Sequence, residues 1–207
     1  TVVMAPDFNM VAKYADKWLP VHAGQDGAFW QSFTHVLLKE FHVDKQVPYF
    51  IDYCKKFTDS PFLVELVKDG DNLVPGQMLR ANKVDKYKGV ENGEWKFLNI
   101  DAESGEFVCP GGSSGHRWDS KDGNWNMQHI DAENDKNYDP LLSLINNKDN
   151  VQQVEFVEYG LDKKSLRGVP VKSVKTDDGD VMVTTVYDLM MAQYGVDRGL
   201  GGDYPTS

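Results

Sequence analysis

TVVMAPDFNMVAKYADKWLPV, residues 1–21, contains three short patterns in the order that a parallel α/β sheet requires. Thr1–Met4 is apolar and rich in β-branched residues, which predicts a buried strand. Apolar residues then recur at the spacing of one helix face, so Asp7–Lys17 is predicted to be a helix. Trp18–Val21 is a second short strand. The succession of strand, helix and strand predicts an α/β fold with a parallel, Rossmann-like sheet.

Two further helices are predicted after these strands. A corner with the sequence Gly-Gln-Asp-Gly, residues 24–27, separates the second strand from the next apolar pattern. Apolar residues then follow helical spacing over Phe29–Phe41, which predicts a helix of about four turns. Pro48 is tolerated in a first helical turn, so Tyr49–Phe57 is predicted to be another helix. Residues 1–57 are therefore expected to form one α/β segment.

The remaining sequence changes character twice. Residues 58–175 contain many turn signals between short apolar runs, which predicts a loop-rich insertion with small β-hairpins rather than a continuation of the parallel sheet. Residues 176–207 are expected to form a strand-helix return segment. Alternating strands on either side of Asp178-Gly179 predict a hairpin, and the helix that follows is expected to end at Gly195. The sequence pattern shows no internal repeat.

The overall composition restricts the function. The chain has 22 Lys and Arg against 32 Asp and Glu, giving a formal net charge of −10. An acidic chain with scattered lysines is a poor candidate for binding a nucleic-acid backbone. The two cysteines, Cys54 and Cys109, form no Cys-x-x-Cys pair; two free thiols are expected, with a Cys54–Cys109 disulfide as the alternative. No apolar run is long enough to span a bilayer, so no direct membrane insertion is expected. The sequence has the character of a piece of a longer chain.

Asp26 in the corner has two interpretations on spacing alone. As a residue just before a helix, it is expected to cap the backbone N–H groups of the first turn, and this interpretation is the favoured one. As a ligand-binding residue, its two carboxylate oxygens match the two adjacent donors of a guanine base. Gly24 would then let the base or the ribose lie against the backbone. Both interpretations remain open at this point.

Other candidate groups have simple structural explanations. The Gly-rich loop Pro110–Trp118 lacks the Lys-Ser/Thr end of a phosphate-binding loop, and it is more plausible as a turn that positions His116 and Arg117. His35 is expected to be a surface or hydrogen-bonded histidine. Tyr187-Asp188 suggests acid–base chemistry, but a role for Asp188 in the first turn of the last helix is simpler. No Ser-His-Asp or Cys-His arrangement follows from the spacing.

Several segments together resemble one family. Residues 6–64 resemble the molybdopterin oxidoreductases of the dimethyl sulfoxide reductase superfamily, whose pattern there is strand, Pro-containing turn, helix, short strand, Pro-Gly-Thr-Asp and helix. The runs EFH, YFIDY and FTDSPFLV within that stretch are similar to the catalytic alpha subunits of respiratory nitrate reductases and nitrite oxidoreductases. GGSSGHRW and VTTVYDLMMAQYGVDRGL match the same subunits further along the chain. The resemblance covers essentially the whole sequence.

The resemblance implies a cofactor and its binding residues. Members of the family bind molybdenum through two molybdopterin guanine dinucleotides, and residues 1–57 would form part of the α/β segment that holds the guanosine end of one of them. The implied cofactor-binding residues are Pro6, Asp7, His22, Gly24, Gln25 and Asp26. The family's Pro-Gly-Thr-Asp is Ala-Gly-Gln-Asp here, so Gly24 and Asp26 are kept while Gln25 replaces a threonine. Gln25 retains the capacity to donate and accept hydrogen bonds.

The resemblance also implies an activity and partners. The reaction would be two-electron oxygen-atom transfer between nitrate and nitrite, in either direction, with electrons passing through iron–sulfur clusters that include a 4Fe-4S cluster of the same subunit. The ligands of molybdenum and of that cluster lie outside these 207 residues, so the piece is not expected to be active alone. An iron–sulfur beta subunit and a membrane or haem gamma subunit would complete a membrane-associated complex. The alternatives are a related molybdenum enzyme acting on selenate or chlorate, and a non-catalytic nucleotide-binding module.

Overall fold

The computed structural model describes residues 1–111, 129–146, 150–158 and 163–204. The helices of more than two turns are α1 (Asp26–Leu37), α2 (Pro48–Phe57) and α3 (Val186–Gln193). The strands are β1 (Val2–Met4), β2 (Lys17–Leu19), β3 (Leu63–Asp69), β4 (Asn72–Met78), β5 (Asn99–Ile100), β6 (Phe107–Val108), β7 (Val151–Val157), β8 (Lys164–Pro170), β9 (Lys172–Thr176) and β10 (Gly179–Thr185). The mixture of helices with parallel and mixed sheets confirms the α/β fold class.

The first two strands pair in parallel, as the sequence predicts. Val2 lies opposite Lys17 and Met4 lies opposite Leu19. The pairing continues one residue further, because the Ala5 N–H donates to the Leu19 carbonyl at 3.3 Å. Two parallel strands have their carboxyl ends at the same edge of a sheet. The segments that follow Met4 and Leu19 therefore begin side by side.

The helix predicted over Asp7–Lys17 is wrong. Only a single 3₁₀ turn forms there, at Ala12–Tyr14. The Asn9 side chain accepts the N–H groups of Val11 and Ala12 at 3.0 and 3.1 Å, and such local side-chain bonds compete with helical ones. The stripe of apolar residues has little to pack against, since Phe8 and Val11 are 62% and 64% exposed. Spacing alone does not make a helix where no surface buries its apolar face.

The helices predicted after the corner are confirmed, with one change. α1 begins at Asp26 and passes at its carboxyl end into a π-helical segment, Leu38–Asp44, that includes the predicted end at Phe41. The segment ends with the Lys45 N–H bonded to the Glu40 carbonyl at 2.9 Å. α2 follows with Pro48 in its first turn, as expected.

A six-stranded mixed sheet forms the larger part of the molecule. Its strand order is β8-β7-β4-β3-β10-β9, and all neighbouring strands are antiparallel except β4 and β7. The hairpin predicted at Asp178-Gly179 is confirmed, because β9 and β10 pair from Gly179 opposite Thr176 to Val183 opposite Lys172. β3 and β4 form a second hairpin at the Asp69-Gly70 turn.

This sheet is separate from β1 and β2, and it is larger than the set of small hairpins predicted for residues 58–175. β3, β4, β7 and β8 come from that range, and β10 comes from residues 176–207. β9 ends at Thr176, so residue 175 lies inside a strand that pairs directly with β10. The sequence pattern missed the sheet because its pairs join residues as far apart as Leu73 and Val154.

The core lies on both faces of this sheet. On one face, Leu63, Val174 and Val183 pack with Tyr87, Leu98 and Ile100 of the loop-rich segment. On the other face, Val64, Val154 and Val169 pack with Leu189 and Ala192 of α3. α3 is capped at Thr185, whose hydroxyl accepts the Asp188 N–H at 3.0 Å, and Gly195 follows its carboxyl end with a φ of 72°. A third cluster, which includes Leu38, Tyr187 and Met191, joins α3 to the π-helical segment.

The loop-rich segment contains an internal repeat, contrary to the sequence analysis. NIDAESGEFVCPG, residues 99–111, and HIDAENDKNYDPL, residues 129–141, share Ile, Asp, Ala, Glu and Pro at equivalent places. Asp101 and Asp131 begin the two turns: the Asp101 N–H bonds the Glu106 carbonyl and the Asp131 N–H bonds the Lys136 carbonyl, both at 2.9 Å. Five shared residues in so short a stretch are too few to stand out from sequence alone.

The two copies of the repeat pair with each other reciprocally. The Ala102 N–H donates to the Asp139 carbonyl at 2.7 Å, and the Ala132 N–H donates to the Cys109 carbonyl at 2.8 Å. Asp101 likewise bridges to Pro140, and Pro110 bridges to Asp131. Each copy therefore closes the outer edge of the other, which is the arrangement of a local pseudo-twofold axis.

A segment near the carboxyl end crosses β8 at close range. The Gly168 N–H donates to the Gly201 carbonyl at 2.7 Å, and the Asp203 N–H donates to the Leu166 carbonyl at 2.6 Å. A Cβ atom at position 168 would lie 2.0 Å from the Leu200 carbonyl oxygen, so only glycine permits this approach. Among residues 1–111, 129–146, 150–158 and 163–204, no helix has the length and apolar character needed to cross a membrane.

Candidate functional site

The residues implied to bind a cofactor come together at the carboxyl edge of the parallel pair. Pro6 and Asp7 follow β1, and His22, Gly24, Gln25 and Asp26 follow β2. The two segments are held together by the Trp18 indole N–H, which donates to the Ala5 carbonyl at 3.0 Å. All six of these residues are exposed. The geometry leaves this edge accessible to a ligand.

The capping interpretation of Asp26 is wrong in its detail. Gln25, not Asp26, occupies the N-cap position of α1, and no side chain caps this helix end. Asp26 is the first helical residue, where its negative charge interacts favourably with the helix dipole. Its side chain makes no capping hydrogen bond to the backbone. Its carboxylate makes no hydrogen bond or ion pair with the described part of the chain. Asp26 is thus free to accept hydrogen bonds from a ligand.

Open space surrounds the glycines of the corner. Gly24 has a φ of 80°, a conformation that favours glycine, and the Gln25 N–H closes the turn on the His22 carbonyl at 3.0 Å. A Cβ atom at Gly24 or at Gly27 would meet nothing within 4 Å. No described atom therefore covers the Cβ side of the backbone at these two glycines.

An aromatic cluster stands next to the corner on α1. Phe29, Trp30 and Phe33 pack with ring-centroid distances of 4.9 to 5.8 Å. Trp30 is 55% exposed and Phe33 is 47% exposed. Exposed aromatic rings that are grouped in this way are typical of a binding face.

The other candidate groups have structural roles or lie outside the description. The Nδ1 atom of His35 lies 2.8 Å from the Tyr194 carbonyl, which confirms a satisfied histidine. Of the Gly-rich loop, only Pro110 and Gly111 are described, so His116 and Arg117 lie outside the described residues.

Asp188 is the centre of a buried polar cluster. Its carboxylate accepts the Ser143 hydroxyl at 2.5 Å, the Leu144 N–H at 2.8 Å and the Arg198 Nη1 at 2.7 Å. The side chain of Asp188 is fully buried and that of Arg198 is 5% exposed. The adjacent Tyr187 is also buried, and burial raises the pKa of its hydroxyl above the usual value. This cluster fixes α3 against the preceding loop, which supports the structural interpretation of Tyr187-Asp188.

Neither thiol is suited to nucleophilic chemistry. Cys54 and Cys109 are free, as expected. Burial raises the pKa of the Cys109 thiol to about 11, and burial also raises the pKa of Cys54. Both thiols are therefore protonated near neutral pH, whereas the thiolate is the reactive form. The described part of the chain also contains no group of three or more His, Cys, Asp or Glu side chains placed to hold a metal ion.

The sequence patterns did not indicate the roles of two buried arginines. Arg198 pairs with Asp188, while the acceptors of Arg167 among the described residues are the backbone carbonyls of Ala192, Gln193 and Asp203. Arg198 lies in the VTTVYDLMMAQYGVDRGL stretch but carries no local signal of its partner. Arg167 lies in a strand whose pairing depends on distant residues. Their roles become visible only when the long-range contacts are known.

Comparison with known proteins identifies relatives over the full sequence. The chain is 38% identical to the respiratory nitrate reductase 1 alpha chain of Escherichia coli and 34% identical to the nitrate reductase alpha chain of Bacillus subtilis, in each case over 97% of this chain. It is 37% identical to the nitrate reductase alpha subunit of Mycobacterium tuberculosis over 99% of this chain. No protein-family model matches the sequence.

The match covers a small part of each relative. The chain spans 17%, 16% and 17% of the lengths of these three proteins. The resemblance noted from the residues is confirmed by identities that extend over nearly the whole chain. Over nearly its whole length, the chain is therefore similar to one segment of the alpha chains of nitrate reductases.

Proposed function

We propose that this chain is the segment of a molybdenum-dependent nitrate reductase or nitrite oxidoreductase alpha subunit that holds the guanosine end of one molybdopterin guanine dinucleotide. The observation that carries the proposal is the common edge formed by the turns after β1 and β2. The implied residues of both turns are exposed, and each turn follows one strand of the parallel pair. Crevices at the carboxyl ends of parallel strands are the usual nucleotide-binding places of such sheets.

The chemistry of this edge suits a guanine nucleotide. Asp26 offers two carboxylate oxygens that have no partner among the described residues, and guanine offers two adjacent N–H donors. Adenine lacks that donor pair, so a bidentate bond would select guanine. The uncovered backbone at Gly24 and Gly27 leaves space for the base and the ribose. The residues present therefore fit the group that the relatives imply.

Each of the six residues would have a binding role rather than a catalytic one. Asp26 would hold the base, and Gln25 would donate or accept one hydrogen bond beside it. Pro6, Asp7 and His22 would form the walls of the crevice, and Gly24 would admit the ligand. When bound in the complete subunit, the molybdenum cofactor would supply two-electron oxygen-atom transfer to or from nitrate and nitrite. This chain's own residues would position the cofactor's distal end.

The complete enzyme would be a complex. A 4Fe-4S cluster in the same subunit and an iron–sulfur beta subunit would carry electrons, and a membrane or haem gamma subunit would complete a membrane-associated assembly. The names of the relatives support nitrate as substrate, since they are nitrate reductase alpha chains. This part of the proposal rests on the relatives and not on the geometry of the edge.

The substitution Asp26→Asn in the full-length subunit tests the binding role. Asparagine keeps the size of the side chain but presents an N–H donor to the guanine donors, and such a mismatch costs about 1–3 kcal/mol. Cofactor affinity is expected to fall about five- to 150-fold. The measurement is the guanine nucleotide and molybdenum released per mole of purified subunit.

Asp52→Asn is the matched control. Asp52 is an exposed residue of α2, and the change alters the net charge by the same amount. The control should retain the cofactor content of the unmodified enzyme. If Asp26→Asn retained it too, at limiting cofactor supply, the guanine-binding role of Asp26 would be wrong.

A further inference from the structure

A cleft outside the proposed cofactor edge lies between α1 and the six-stranded sheet. Its volume is about 430 Å³. The lining comes from one face of α1, the ends of β7 and α3, and β8: Gln31, Ser32, His35, Val157, Glu158, Arg167, Gln193 and Tyr194. Small-molecule sites occupy roughly 300–1,000 Å³, so the cleft is large enough for a ligand.

Arg167 places an incompletely balanced positive charge in this cleft. Arg167 is 7% exposed, and none of the described carboxylates lies within ion-pairing distance of its guanidinium group. Nη1 donates to the carbonyls of Ala192 and Gln193 at 2.6 and 3.0 Å, and Nε donates to the Asp203 carbonyl at 3.1 Å. The end of α3 supplies about half a negative charge. A buried cation usually has a full counter-ion, so a net positive charge remains to be balanced.

The Nη2 atom of Arg167 is available for that counter-ion. No partner in the described chain bonds it, and it is not among the buried polar atoms that lack a partner. Nη2 therefore keeps some exposed surface, and Arg167 is one of the residues that line the cleft. The two remaining N–H groups of a guanidinium are strong donors for phosphate or carboxylate oxygens.

The other polar residues of the cleft are compatible with an anion. Gln31 adds an amide with two N–H donors, and the structure assigns it no hydrogen-bond partner within the described chain. His35 donates its Nδ1–H to the Tyr194 carbonyl at 2.8 Å, so its side chain is already bonded and is not counted as a ligand of the anion. Glu158 opposes an anion, but its carboxylate lies 3.5 Å from the Lys163 ammonium group, which offsets its charge.

We propose that this cleft binds a small molecule through a phosphate or carboxylate group that bonds Nη2 of Arg167 and the amide of Gln31. The site is distinct from the edge at Asp26, because its residues lie one to three turns along α1 and on the sheet. The ligand would reach across the boundary between residues 1–57 and the sheet. Binding would therefore strengthen the contact between these two regions.

The test uses the full-length subunit and the substitution Gln31→Glu. A carboxylate at position 31 would replace a donor with a negative charge and would compete for Arg167. Inorganic phosphate and acetate are titrated separately by calorimetry, so that the phosphate and carboxylate sources are told apart. The dissociation constant of whichever anion binds is expected to rise at least about tenfold in the variant.

Gln77→Glu is the matched control, since it makes the same chemical change at an exposed position of β4 that does not line the cleft. The dissociation constant of the anion for this variant should stay within about twofold of its value for the unmodified subunit. Arg167 itself is left unchanged because it holds three backbone carbonyls. Equal affinities in Gln31→Glu and Gln77→Glu, no binding of either anion, or a crystal structure with polypeptide filling the cleft would overturn the proposal.

Discussion

Residues 1–57 and residues 58–204 differ in how they bury apolar surface. The first region has a two-stranded sheet and two helices, yet only Ala12 and Leu38 belong to its buried apolar residues. α1 and α2 contain no buried residue. The second region has a six-stranded sheet with apolar residues buried on both faces. The first region is richer in helix and the described part of the second region is richer in strand, and the two differ strongly in packing.

The difference shows that secondary structure does not require a core of its own. A two-stranded sheet is marginal by itself, and parallel strands are normally covered on both faces. The exposed rings of Trp30, Tyr49, Tyr53 and Phe57 need a covering surface. The relatives are several times longer than this chain, so we expect the remainder of the subunit to provide it. The sheet region has what it needs within the described chain.

Hydrogen exchange of the 207-residue polypeptide should show the largest contrast. Amides of β3 and β10, which are central in the sheet, should exchange only through global unfolding, which costs about 5 kcal/mol or more in a stable domain. Amides of β1, β2 and α1 should exchange through local opening whose free-energy cost is near zero. The readout is the deuterium uptake of peptides from both regions. Equal protection in the two regions would contradict the comparison.

Asp188→Ala should cause the next largest effect. The substitution leaves the Arg198 guanidinium buried without its carboxylate and removes the acceptor of Ser143 and Leu144. Breaking a buried ion pair in this way costs about 3–5 kcal/mol. The measurement is the free energy of unfolding from urea titration.

Asp52→Ala is the control for this substitution in the less packed region. Asp52 is exposed on α2, so its loss should change the free energy of unfolding by less than about 0.5 kcal/mol. A similar small loss for Asp188→Ala would mean that the buried pair does not hold α3 in place.

Phe33→Ser should have the smallest effect in the isolated polypeptide. Phe33 is 47% exposed, and its replacement should shift the free energy of unfolding by less than about 0.5 kcal/mol while reducing aggregation. Phe156→Ser is the matched change in the sheet, where the side chain is 4% exposed, and it should cost about 3–5 kcal/mol. In the full-length subunit, Phe33→Ser should become destabilising if the rest of the subunit covers α1.

Local signals predicted the elements whose structure depends on nearby residues. β1, β2 and α2 follow from short apolar patterns and from Pro48. The β9–β10 hairpin follows from Asp178-Gly179, and α3 ends where Gly195 predicts. The positions of the six candidate residues at one edge also follow from the parallel pairing. Whether these residues bind a cofactor stays a prediction.

Long-range relations could not be predicted. The strand order β8-β7-β4-β3-β10-β9 depends on pairs such as Leu73 with Val154, which no local pattern specifies. The helix over Asp7–Lys17 failed because its apolar stripe finds no surface and Asn9 binds the backbone instead. The acceptors of Arg167 lie 25 to 36 residues further along the chain, so no local pattern specifies them. Arg198 pairs with Asp188 only ten residues before it, but no sequence pattern marks that pair.

The reciprocal pairing of residues 99–111 and 129–141 has a consequence for how this protein tolerates change. Each copy supplies the other's edge bonds, as from Ala102 to Asp139 and from Ala132 to Cys109. A substitution that distorts the turn of one copy therefore also removes hydrogen-bond partners from the other copy. The two turns are expected to lose their structure together, so this segment should respond to damage as one cooperative unit.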